Sequence, residues 1–89
     1  MYSNHDFGRE LKIILSKSTD IIKIARWAEH VYTIYCRELS QELDDVVMAL
    51  STMEHGPEFE YTENELRLLA ELLINDETDP LKKIRDLKS

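Results

Sequence analysis

Chemistry would have to come from few residues in this chain. Its three histidines, His5, His30 and His55, are scattered, and none belongs to an H-E-x-x-H pair or another metal-ligand spacing. The single cysteine, Cys36, has no second thiol for a disulfide or C-x-x-C motif and no recognisable nucleophile signature around it. Glu54, His55 and Glu58 put three potential metal ligands around one Gly-Pro turn, a combination that a glutamate-rich turn yields by chance. Asp44 and Asp45 are adjacent, roughly 100° apart on a helix, so they face different ways and make poor acid-base partners. Trp27, Tyr32 and Tyr35 can line a small-molecule pocket, but aromatic residues at helical spacing more often form core. These residues imply no enzyme, no catalytic group, no cofactor and no metal.

What the sequence concentrates is acid. Residues 1–37 hold six Lys or Arg against four acids, residues 38–79 hold only Arg67 against thirteen acids, and residues 80–89 hold four basic residues against one acid. Inside the acidic segment, "MEHGPEFEYTENE" (residues 53–65) sets five glutamates, Phe59 and Tyr61 around Gly56-Pro57. Such a field repels nucleic-acid phosphates and steers a basic protein toward it. The expected contact surface is therefore Glu42, Asp45, Glu54, Glu58, Phe59, Glu60 and Tyr61, with a basic protein as partner and no nucleic acid. The plain alternative is a solvated acidic face, and for residues 53–65 simply the corner where one helix ends and the next begins.

The elements that position these residues read as helices. Phe7, Leu11, Ile14 and Leu15 recur at helical spacing, predicting a helix from about His5 to Lys17 with Asp6 at its start. "SKSTD" breaks it, and Ser18 or Thr19 is the expected N-cap of the next helix, with Asp20 in its first turn. Ile21, Ile24, Ala25, Ala28, Val31, Tyr32, Tyr35 and Leu39 share a face there, and Trp27 and Ile34 widen the apolar arc to roughly 200°. The opposite side carries the basic stripe Lys23, Arg26, His30 and Arg37, suited to an anion or to pairing with the acidic segment. Leu43, Val46, Val47, Leu50 and Met53 continue the apolar stripe, which leaves a choice. One long helix over residues 19–54 would be roughly 54 Å long; a break at "ELSQE", with Ser40 capping a third helix, is the reading adopted. Met48 stands off that stripe and is free for partner contact.

Gly56 is expected in the left-handed position after that helix, with Pro57 barring its continuation. "EFEY" alternates acid and aromatic, which in extended backbone puts Phe59 and Tyr61 on one side. Thr62 and Glu65 form a T-x-x-E capping box for a helix to about Asn75, with Leu66, Leu69, Ala70 and Leu73 inward. Leu68, Leu72 and Ile74 widen its arc, so Leu68 and Leu72 are candidates for self-association, as a homodimer for instance, unless the helix is packed centrally. Asp79-Pro80 opens a short basic helix or tail with Leu81, Ile84 and Leu87 on one stripe and Lys82, Lys83, Arg85 and Lys88 toward its end.

Residues 1–89 thus read as one all-α domain, a small bundle of four to five helices, since 43% hydrophobic and 33% charged residues with two Gly and two Pro suit a folded helical chain. No basic start with an apolar h-region opens the chain, no run reaches the roughly 18 apolar residues of a membrane span, and Cys36 in an apolar run reads as a buried reduced thiol. The expectation is a cytoplasmic protein without membrane contact.

"WAEHVY" followed by an acidic helix, then "GPEFEYTENEL" and a leucine-rich helix, resembles in size, charge and layout the small acidic helical immunity proteins of bacteria, and other small bacterial helical proteins. Immunity proteins bind and block the toxic domain of a cognate bacteriocin, so the resemblance implies a protein-binding inhibitor or adaptor. Its nuclease-directed group carries a Tyr-Tyr pair; this chain has no adjacent tyrosines, and no site residue is carried over. Basic nuclease domains would gain association rate from an opposite field.

Overall fold

The computed structural model describes residues 2–18, 20–56 and 61–88. Those residues form five α-helices: α1 (Asn4–Lys17), α2 (Ile21–Tyr35), α3 (Gln41–Ser51), α4 (Glu63–Ile74) and α5 (Pro80–Lys88), with a 3-10 turn, Thr52–His55, running on from α3. α1 packs along α4, α2 along α3, and α5 against α4.

Local chemistry sets the helix starts. Ser3 Oγ accepts from the Asp6 amide (3.2 Å) while Asp6 accepts from the Ser3 amide (3.0 Å), a reciprocal cap that also holds the Asp6 carboxyl below its ordinary pKa. Ser40 Oγ accepts from the Leu43 amide (3.2 Å) and starts α3 as expected. Thr62 and Glu65 close the capping box of α4 through bonds of 3.1 and 2.7 Å. The cap of α2 differs from expectation: Asp20 itself accepts from the Ile22 amide (3.0 Å), because its carboxylate reaches the free amides directly.

The single long helix over residues 19–54 is ruled out. α2 ends at Tyr35, the chain turns through residues 36–40, and the molecule measures only 31 × 24 × 22 Å. Folding α3 back onto α2 buries Leu43, Val46, Val47 and Leu50 against Ile24, Ala25, Ala28 and Val31, which one extended helix would have left in water. Gly56 is extended (φ 165°) rather than left-handed, since the 3-10 turn unwinds the helix before the glycine is reached. The left-handed cap lies instead at Asp76 (φ 56°), after α4. There the Glu77 amide donates to the Leu72 carbonyl (2.9 Å) and the Asp76 amide to that of Leu73 (3.1 Å), the paired bonds of a Schellman motif.

Phe7, Leu11, Leu15, Leu66, Leu69, Leu73 and Ile84 join the α2–α3 residues in one core. Phe7 and Trp27 stack at 4.6 Å and tie α1 to α2, a contact worth about 0.5–1.5 kcal/mol beyond the buried area. Tyr2 stacks on Tyr35 at 4.2 Å, and its hydroxyl donates to Glu10. Gly8 is where α1 crosses α4: a Cβ there would lie 2.9 Å from the Ala70 carbonyl oxygen and 2.9 Å from Leu73 Cβ.

Three residues expected inside are outside. Ile34 is 54% exposed, Tyr32 is exposed, and Cys36 sits exposed just past α2. α2 packs mainly on α3 and the 3-10 turn, which leaves part of its apolar arc exposed. No helix among the described residues is long and apolar enough to cross a membrane.

Candidate functional site

Among the described residues, the expected contact acids Glu42, Asp45 and Glu54 separate into two clefts. Glu42 and Asp45, one turn apart on α3, line a cleft of about 120 Å³ with Val46, Asp79, Pro80, Leu81 and Arg85. The Asp79 amide donates to Glu42 Oε1 (2.7 Å), which ties the left-handed turn at Asp79 (φ 51°) to α3 and sets the start of α5 beside it. Gln41 Nε2 donates to Asp45 Oδ1 (3.1 Å), and Asp45 is exposed. On α3 the first-turn acids Glu42 and Asp44 also complement the helix dipole, so part of the acidity has a purely structural use.

Glu54 does not join them. It stands on the 3-10 turn at a second cleft, about 290 Å³, lined also by Glu29, Tyr32, Met48, Ser51, Thr52 and His55. α2 supplies Glu29 and Tyr32, one helical turn apart, and α3 supplies Met48 and Ser51; the packing of the two helices makes the cleft. Met48 is exposed, as its position off the stripe predicted, and Tyr32 now stands across from it. Arg26 Nε lies 3.9 Å from Glu54, so one member of the basic stripe does meet the acidic segment of its own chain. Lys23, His30 and Arg37 are exposed.

Tyr61 is half-buried against the core, and burial raises its hydroxyl pKa while the nearby Arg85 opposes that rise. It acts as an anchor for the start of α4. Glu58, Phe59 and Glu60 lie outside the described residues, as do Pro57, the extended "EFEY" geometry, the proposed cap at Thr19 and the side chains of Leu87 and Lys88. Leu68 and Leu72 are half-buried and packed on the core, which takes up much of the width of the α4 arc.

The three histidines stay apart. His5 Nδ1 donates to the Ile74 carbonyl (3.1 Å), which satisfies a free acceptor at the end of α4; His30 is on the outer side of α2, and His55 is at the second cleft. No group of three metal-ligating side chains forms among the described residues. Sequence reasoning missed Glu29 and turned Tyr32 inward; the polar neighbours Glu29, His30 and Thr33 were the available signal that this side of α2 meets water.

The chain matches no family model, no curated protein and no solved structure.

Proposed function

We propose that this protein is a non-catalytic binding module, of the inhibitor or adaptor kind that immunity proteins exemplify, and that it holds a basic protein partner through its acidic side. One observation carries the reading. α3 presents Glu42, Asp44 and Asp45 on its surface with no Lys or Arg anywhere along the helix. The sole basic residue of the acidic segment, Arg67, is engaged with Glu63 on its own helix (3.5 Å). Of the protein's own cations Arg85 of α5 lines the cleft of Glu42 and Asp45, and a partner's cations would share or displace it there. Glu42, Asp45, Glu54 and, further along the sequence, Glu58, Phe59, Glu60 and Tyr61 are the proposed contact residues.

Charge reversal is the test. Tagged wild-type protein retains basic proteins from lysate that elute as salt rises, and the double variant Glu42→Lys, Asp45→Lys loses them while unfolding at the same temperature. Equal retention by both would overturn the reading.

A second reading, a homo-oligomer, rests on α1. Arg9, Lys12 and the 52%-exposed Ile13 line a cleft with His5 and Ile74, where Lys12 pairs with Glu71 (2.8 Å) and Arg9 and Ile13 offer a basic and apolar complement to acidic residues of a second copy. Under that reading a concentration-dependent mass in sedimentation falls to the monomer in Ile13→Glu; a monomer at every concentration would eliminate it.

A further inference from the structure

The cleft between α2 and α3 is an unusual place to leave apolar surface. Tyr32 and Met48 are 38% and 44% exposed, they face one cleft of about 290 Å³, and the carboxylates of Glu29 and Glu54 stand around them. We propose that this cleft takes a single arginine or lysine side chain from a basic segment of the partner protein, its stem lying on Tyr32 and Met48 and its cation between Glu29 and Glu54. The inference rests on the acidic-surface reading and narrows it to one pocket.

Size and charge select this occupant. The volume lies just below the roughly 300–1,000 Å³ range of sites for drug-sized ligands, so it suits one long side chain better than a small molecule. A purely apolar side chain would cover Tyr32 and Met48 but desolvate two carboxylates without compensation. An acidic one would be repelled. Lysine and arginine alone join an apolar stem to a cation, and an exposed aromatic ring such as that of Tyr32 attracts a cation over its face. Among the described residues the Glu29 carboxylate has no ion pair, and Glu54 has only the long 3.9 Å contact with a well-exposed Arg26, which an incoming guanidinium can share or replace. Methionine adapts its shape to varied partners, which fits Met48 for such a floor.

Amide shifts of ¹⁵N-labelled protein test this with an acetylated, amidated arginine-leucine peptide and its twin carrying citrulline for arginine, which keeps the shape and removes the charge. The arginine peptide is expected to shift Tyr32, Met48, Ser51 and Thr52, and the citrulline twin to leave them in place. Met48→Ser, at an exposed position, should weaken binding about five-fold through lost apolar contact, which a purely electrostatic surface would not register. Shifts confined to Glu42, Asp45 and Asp79 would overturn the cleft and leave the acidic surface standing. No shift with either peptide would overturn both. Shifts in the cleft on concentrating the protein without peptide would make a second copy the occupant and overturn a partner's side chain.

Discussion

Replacing Gly8 by alanine asks whether α1 and α4 touch as closely as described. In a solvated helix the change is favourable, because alanine exceeds glycine in helix propensity by about 1 kcal/mol. Here the new methyl would meet the Ala70 carbonyl oxygen at 2.9 Å, Leu73 Cβ at 2.9 Å and Ile74 Cγ1 at 3.0 Å. The first contact is with backbone and the second with the root of a fully buried side chain, so no rotamer change relieves either; α4 must move. Overpacking of a tight core costs about 1–3 kcal/mol, and a displaced helix that carries Leu66, Leu69 and Leu73 belongs at the upper end. Subtracting the propensity gain leaves a net loss of about 2 kcal/mol, or a fall in Tm of about 8–16 °C for a domain this small. Thermal unfolding followed by circular dichroism reads this directly, and a peptide of residues 1–18 serves as control, gaining helicity on the same substitution. A Tm that rises by several degrees in the whole protein would refute the crossing, since propensity would then act alone.

Other perturbations follow from the same geometry. Asp76→Gly should stabilise the protein by about 1 kcal/mol, because it relieves a side chain in left-handed backbone and removes a negative charge from the end of α4; urea unfolding measures it, and a loss of stability would deny the Schellman cap. Thr62→Ala removes the side-chain acceptor of the α4 capping box and should cost about 1 kcal/mol in the same assay, with no change implying that the box is idle. The hydroxyl of Tyr2 has its pKa raised by burial and by its bond to Glu10, and that of Tyr61 by burial, so both favour the protonated, folded form. Their contribution is complete below the ordinary tyrosine pKa of about 10 and is lost as pH rises past it. Tyr2→Phe should therefore flatten the alkaline limb of a stability-pH curve, and an unchanged limb would contradict the burial of that hydroxyl.

Helix starts were legible in the sequence because capping is local. Ser40, the Thr62–Glu65 pair and Asp79-Pro80 each act within four residues, and each is found at a helix start. At α2 the run of cap-formers misleads: Ser18 or Thr19 is the expected cap with Asp20 inside the first turn, whereas Asp20 is the cap. Inward faces were legible wherever a helix has neighbours along the whole arc, as with Leu43, Val46, Val47 and Leu50. Periodicity gives the width of an apolar arc but not how much of it the fold covers; Tyr32 and Ile34 lie on the part of α2 left open, with Cys36 exposed just past its end. Gly56 carried the usual signal of a left-handed cap, yet the 3-10 turn dispensed with it and Asp76 took that geometry without a glycine. The acidic segment was visible as a charge run. Its division into one cleft at Glu42 and another at Glu54 was not, because Glu29 and Tyr32 reach Glu54 only through the packing of α2 on α3.

The most direct test of an acidic docking surface is the rate at which the captured basic partner associates, followed by stopped flow as ionic strength rises from about 0.01 M to about 1 M, which shortens the Debye length from about 30 Å to about 3 Å. Steering by the field predicts an association rate that falls at least about ten-fold over that range, with a shallower fall for the Glu42→Lys, Asp45→Lys variant. A rate indifferent to salt would contradict it and return the acidic helices to the role of a solvated face.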